Sequence, residues 1–97
     1  SDSTRATPNL QFHVQPISTD ILGASKLHDF EGITPTVANV RPTSRGEINI
    51  ISKNIRDYPK IKMNYLSTDE DRHVAAQGLK LVRKIMLETD TFKKYEP

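Results

Sequence analysis

The sequence predicts an α+β fold: a small antiparallel sheet of about four strands with one main helix packed on it. Three observations predict this. Four short segments, near residues 9–17, 33–41, 48–51 and 61–65, show period-two alternation or β-branched enrichment. One long stretch beginning at Ser67 or Thr68 places apolar residues at helical spacing. Pro, Gly, Asn and Ser punctuate the intervals between these segments, as short connections require.

Residues 1–7 are small and polar and are expected to fray. The chain does not start with Met, as expected of a processed or excised piece, with room in Ser1-Asp2-Ser3 for a cloning remnant. In the first strand Leu10, Phe12 and Val14 alternate with Gln11, His13 and Gln15, giving one apolar face and one polar face. Residues 18–32 lack periodicity and read as a loop, a lid being the alternative. Thr34, Thr36, Val37 and Val40 give the second strand its propensity. Pro35 suggests an edge or a bulge, and Pro42, which has no N–H, ends the strand.

Gly46, after Ser44-Arg45, supplies backbone freedom for a tight reversal. Ile48-Asn49-Ile50-Ile51 then reads as a half-buried strand, and Pro59 separates it from Ile61, Met63 and Tyr65, which alternate with Lys62 and Asn64. The hairpin face formed by Ile48, Ile50, Ile61 and Met63 is too small to be stable alone. The helix that follows is its expected cover.

That helix starts with a capping box, Ser67 with Glu70. Asp69, Glu70 and Asp71 place negative charge on the positive end of the helix dipole. Val74, Gly78, Leu81, Val82 and Ile85 form the apolar stripe, widened by Ala75, Leu79 and Met86. Gly78 costs about 1 kcal/mol relative to Ala in mid-helix, and close approach to the sheet is the expected compensation. Arg83 and Lys84 suit the C-terminal end, the exit falls within residues 87–90, and Phe92 and Tyr95 are expected to fold back onto the sheet.

Ninety-seven residues suit one small domain, and 35% hydrophobic against 27% charged residues leaves only a thin core. The absence of Cys excludes disulfides and thiolate ligands. A formal charge of +2, with acids and bases interspersed, argues against a nucleic-acid binder and a polybasic membrane anchor. No apolar run reaches transmembrane length and no signal-peptide pattern is present. A cytoplasmic location is expected, with peripheral membrane association left open.

Few residues carry chemistry. His13, His28 and His73 have no ligand spacing, so no metal is expected. Ser44 lacks a nucleophile-elbow setting and reads as a turn residue. His28-Asp29 offers a base beside its orienter, although adjacent loop residues rarely converge in that way. Four scattered glycines make no G-x-G-x-x-G, so the chain alone is expected neither to hold a dinucleotide nor to turn over substrate. The row Gln11, His13 and Gln15 faces solvent or a polar pocket.

Arg41-Pro42-Thr43-Ser44-Arg45-Gly46, a strand, Tyr58-Pro59-Lys60-Ile61, Asn64-Tyr65-Leu66, Asp71 and Gly78 to Arg83 occur in that order. This ordered set resembles the first part of the C-terminal, substrate-binding domain of the glucose-methanol-choline (GMC) oxidoreductases, nearest the choline dehydrogenase-like branch, from about Pro8 to Pro97. The resemblance implies a fragment of an enzyme that transfers hydride from a CH–OH donor to flavin. It implies FAD held by an N-terminal domain of the same polypeptide and a catalytic segment further toward the C-terminus, with none of the catalytic residues in this chain.

The implied partners are those missing segments and a small alcohol, with self-association open through exposed surface. The family's strand matching residues 9–16 presents a His to the substrate, which implies a pocket role for His13, with Gln11 and Gln15 as lesser candidates. Arg41, Ser44, Arg45, Gly46, Asn64 and Tyr65 fall on the motif and are expected to be structural, Arg45 bonding carbonyls or a carboxylate across the sheet. The alternative is a stand-alone α+β binding module without catalysis.

Overall fold

The computed structural model describes residues 4–21, 23 and 26–95. It contains, in order, strands β1 (Leu10–Gln15), β2 (Thr34–Asn39), β3 (Glu47–Asn49) and β4 (Lys60–Lys62), the long helix α1 (Asp69–Glu88) and a single turn α2 (Asp90–Lys93). The α+β class, the four strands and the one main helix are as expected. The strands form two antiparallel ribbons, β1–β2 and β3–β4, in place of one four-stranded sheet.

The first ribbon pairs Leu10 with Asn39, Phe12 with Val37 and Val14 with Pro35 on one face, and Gln11 with Ala38, His13 with Thr36 and Gln15 with Thr34 on the other. Helix α1 lies over the Leu10 and Val37 end of the first face, while Phe12 and Val14 remain exposed. Its buried edge runs Asp71, Gly78, Val82 and Met86, with Val74, Ala75 and Ile85 half-buried beside them. Leu79 lies outside this stripe and is exposed. Val82 and Met86 are the only buried apolar side chains among the described residues, so the core is one line of contacts.

Gly78 sets the distance between the layers. A Cβ built there would lie 3.0 Å from Val37 Cγ2 and 3.4 Å from Leu10 Cδ2. Gly78→Ala would gain about 1 kcal/mol of helix propensity and lose a similar amount as Val37 gives way, leaving the denaturation midpoint nearly unchanged. Gly78→Leu is expected to lift the helix from the ribbon and cost about 3 kcal/mol in a urea titration.

Helix α1 is capped by Thr68, whose hydroxyl accepts the Asp71 N–H at 3.2 Å. Ser67 was the expected cap, but its N–H donates to Ser44 Oγ (2.9 Å), which places it in the preceding turn. The helix extends to Glu88, so Arg83 and Lys84 fall short of its last turn, which holds no base. Thr89, in extended conformation, ends it while its hydroxyl donates to the Ile85 carbonyl at 2.6 Å. Helix α2 packs on α1 with Phe92 half-buried, while Tyr95, which was expected to fold back onto the sheet, stays exposed with Lys94 over its ring.

The second ribbon pairs Glu47 with Lys62, Ile48 with Ile61 and Asn49 with Lys60. The expected cover does not reach it: α1 lies on the first ribbon, and Ile48 and Ile61 remain 70% and 56% exposed. The separation starts at residues 40–46, where Pro42 ends the first pairing and the next two residues are tied to the start of α1. The chain is therefore extended, with a radius of gyration of 18.2 Å, against about 12.5 Å for a compact domain of this length. Of the terminal residues expected to fray, 1–3 lie outside the described residues, and Arg5 pairs with Glu70 on the first turn of α1.

Candidate functional site

The polar face of β1 carries Gln11 and His13, both exposed, with Gln15 half-buried at the strand end. Strand alternation turns all three away from α1, as their cross-strand partners Ala38, Thr36 and Thr34 require. The His13 carbonyl accepts the Thr36 hydroxyl at 3.5 Å, and its imidazole is open to solvent. The three residues expected to face a pocket thus form one polar row on an open sheet face.

Residues 16–33 connect β1 to β2, with 22, 24 and 25 outside the described residues, so the lid alternative falls partly outside them too. The ring of His28 is fixed by Ser18 Oγ at 2.9 Å from Nδ1, by Asp20 Oδ1 at 3.3 Å from Nε2, and by Phe30 stacked at 4.9 Å. Its partners are therefore Ser18 and Asp20; the adjacent Asp29 is not one of them. Thr19, Asp20, Ile21, Lys26, Leu27, His28 and Asp29 line a shallow concavity of about 350 Å³. The Asp20 side chain is 89% exposed, so its contact with His28 is screened by solvent. The His28 N–H donates to the Ser18 carbonyl at 2.9 Å, so the Ser–His–Asp set fastens a loop.

The motif residues converge at the start of α1. Asp71 is 3% exposed. Its Oδ1 accepts the Thr43 N–H (2.9 Å), the Thr43 hydroxyl (3.1 Å) and Asn39 Nδ2 (3.4 Å), and its Oδ2 accepts the Ser44 N–H (2.8 Å). Ser44 Oγ accepts the Ser67 and Thr68 N–H groups at 2.9 and 3.4 Å, while Thr43 Oγ1 lies 2.6 Å from Thr68 Oγ1. Hydrogen bonding by the Ser44 hydroxyl, then by the Thr43 amide, holds the Asp71 carboxyl far below its ordinary 3.8, outweighing the burial that would raise it.

Around this carboxylate Arg45 Nη1 donates to the Pro42 and Ser44 carbonyls at 2.8 and 2.9 Å, local to its own turn and not across a sheet. Asn64 donates to the Arg45 carbonyl at 2.9 Å, and the Arg41 N–H to Asn39 Oδ1 at 3.0 Å. Asn64 and Leu66 both have φ of 53°, a left-handed conformation that Asn accommodates better than Leu. Gly46, Tyr65 and Leu66 line a concavity of about 380 Å³ beside the knot. The Asp71 carboxylate is thus engaged by donors from the 39–44 segment, and the arrangement joins that segment to the start of α1.

Sequence reasoning missed Asp71, Asn39 and Thr43 as a unit. The available signal was an acid three residues after the cap Thr68, combined with the exposed amides of a Pro-Thr-Ser turn earlier in the chain. A flavin dinucleotide does not fit the residues present. The first turn of α1, where a pyrophosphate would bind, carries Asp69, Glu70 and Asp71. Among the described residues no helix is long and apolar enough to cross a membrane.

Comparison with known proteins adds what the geometry alone does not. Residues 42–96 match the family described as GMC oxidoreductase, over its C-terminal domain. The chain is 35% identical over 79 residues to the oxygen-dependent choline dehydrogenase of Pseudomonas fluorescens (strain SBW25), a match covering 81% of this chain and 14% of that protein. The oxygen-dependent choline dehydrogenases of Pectobacterium carotovorum subsp. carotovorum (strain PC1) and Yersinia pestis (strain Pestoides F) are each 32% identical, over 84% and 81% of this chain and 14% of their own lengths. The chain therefore spans about one seventh of the curated relatives it matches. No solved structure matches it.

Proposed function

Because the chain belongs to the GMC oxidoreductases, we propose that it is the substrate-domain scaffold of a longer FAD-dependent enzyme that oxidises a small alcohol by hydride transfer from its CH–OH carbon to flavin. The observation that carries this reading is the family match over residues 42–96, most of the joined 40–71 region and all of α1. The chemistry of the chain agrees: among the described residues the buried carboxylate is Asp71, which is engaged by structural donors, and the helix start repels phosphate. The flavin is held by other parts of the polypeptide, and this chain by itself turns nothing over.

What the chain contributes to the pocket is the polar row on β1. His13, with Thr36 paired across from it, stands on a two-stranded ribbon that α1 braces from behind. Its imidazole can hydrogen-bond a substrate hydroxyl, fixing the oxygen while the carbon is oxidised. Gln11 and Gln15 flank it at strand spacing and would contact the same pocket less directly. Choline is the first alcohol to test, since the relatives above are named for it.

The test is to express the polypeptide encoded around these residues, read the flavin absorbance of the purified protein, and assay oxidation of choline and other small alcohols. His13→Gln is expected to lower kcat/KM by about 100-fold with flavin content unchanged. Wild-type rates in that variant would remove His13 from the pocket. A longer polypeptide that binds no flavin and oxidises no alcohol would overturn the enzymatic reading in favour of a binding module.

A further inference from the structure

We propose that the apolar face of the β3–β4 ribbon is the seat on which the rest of the polypeptide packs; this rests on the reading above only in taking the chain to be part of a longer one. The ribbon is two-faced. Glu47 opposite Lys62 and Asn49 opposite Lys60 make one side polar, and Ile48 opposite Ile61, continued by Ile50 and Met63, makes the other side apolar. An antiparallel ribbon with this alternation is built for burial on one side. None of the described residues buries it: Ile50 is 89% exposed and Met63 51%.

The polar row of β1 is exposed as well, but its side chains are compatible with water. Four aliphatic side chains on one face of a short ribbon are not, and they need a covering layer. Helix α1 is already committed to the other ribbon through Gly78.

Size decides between the two available occupants. Three residues per strand give a face about 10 Å long and about 10 Å wide. A stable dimer buries about 800 Å² on each partner, several times what this face offers. A second copy held by this surface alone is therefore too weakly bound. A segment of the same polypeptide needs far less area, because the covalent link supplies a high effective concentration. Relatives of this chain carry about six times more sequence than it matches, which is ample material for that layer.

The two methionines report on this directly, because thioether oxidation by peroxide follows exposure. Met63 lies on the proposed seat, and Met86, on the buried edge of α1, is 7% exposed. In the longer polypeptide, native Met63 is expected to oxidise about tenfold or more slowly than in urea, as Met86 does. In the 97-residue chain Met63 is expected to react rapidly at every protein concentration. Equal Met63 rates in the native longer polypeptide and in urea would overturn the proposal, as would a reading frame that ends with these residues. Protection of Met63 in the 97-residue chain that grows with concentration would assign the seat to a second copy and overturn it too. A longer polypeptide that protects Met63 but lacks flavin would leave this inference standing and remove only the enzymatic reading.

Discussion

Asp71→Ala is expected to lower the thermal midpoint of the chain by on the order of 10 °C, or to abolish a cooperative transition. The reason is the number of donors that one carboxylate satisfies. The Thr43 and Ser44 amides, the Thr43 hydroxyl and the Asn39 side chain all point at it in a part-buried site. Removing it leaves several donors without a partner, and orphaned donors cost more than a made bond contributes. It also unfastens the first turn of α1 from the 41–46 segment, which the Ser44 hydroxyl holds from the other side. Asp71→Asn should fail nearly as badly, because an amide NH₂ would face donors. Asp69→Ala is the control: Asp69 is exposed and, among the described residues, pairs with Arg72 on its own helix, so little change is expected.

The pH dependence of stability follows with a definite sign. The folded carboxyl of Asp71 lies below its ordinary 3.8, so the folded state prefers the ionised form. Its contribution is complete above the ordinary carboxylate range and decays as pH falls below it. Urea titrations at falling pH should show that loss in the wild type and a flatter profile in Asp71→Ala. Amide exchange at Thr43 and Ser44 provides a local readout, with both amides expected to exchange rapidly in the variant. An unchanged midpoint and slow exchange at those two positions would show that the carboxylate does not hold the turn.

This carboxylate also marks where sequence reasoning stops. Leu10, Phe12 and Val14 are legible as a strand face because the pattern is local and repeats at two residues. Gly78 is legible as a close approach because a glycine in a strong helix needs a compensating contact. Asp71 had a sufficient local explanation, the helix dipole, and its real partners lie 27 and 28 residues away. His28 was read against its neighbour Asp29, whereas loop geometry brings Ser18 and Asp20 to its ring. The split into two ribbons escaped for the same reason. Period-two patterns identify strands, but which strands pair depends on how the joining segment is anchored, and here the anchor is the Asp71 knot. The polar row on β1 was legible as a row, because its alternation is local; its proposed part in a pocket is not a local pattern.

Gly46→Ala tests the other end of that joining segment, and its effect is expected to rival that of Asp71. The sequence suggests a glycine that frees the backbone for a reversal, but the structure gives a steric reason. A Cβ at residue 46 would lie 2.3 Å from the Lys62 carbonyl oxygen and 2.6 Å from that of Met63. Both obstacles are backbone, so no side-chain rotation relieves them, unlike the Val37 methyl that meets Gly78. Since Glu47 pairs with Lys62, the added methyl falls at the first step of the β3–β4 ladder. The strands must part there, at a cost of about 3 kcal/mol, and a ladder of three residue pairs has little left to hold it. Amide exchange within β3 and β4 should rise to the unfolded rate, while α1 and the β1–β2 ribbon keep their protection. In the longer polypeptide the same substitution should expose Met63 to peroxide and leave Met86 protected, since the seat is lost and the core beneath α1 is not. Wild-type exchange in β3 and β4 would mean that the backbone can yield at residue 46, and the steric account of this glycine would fail.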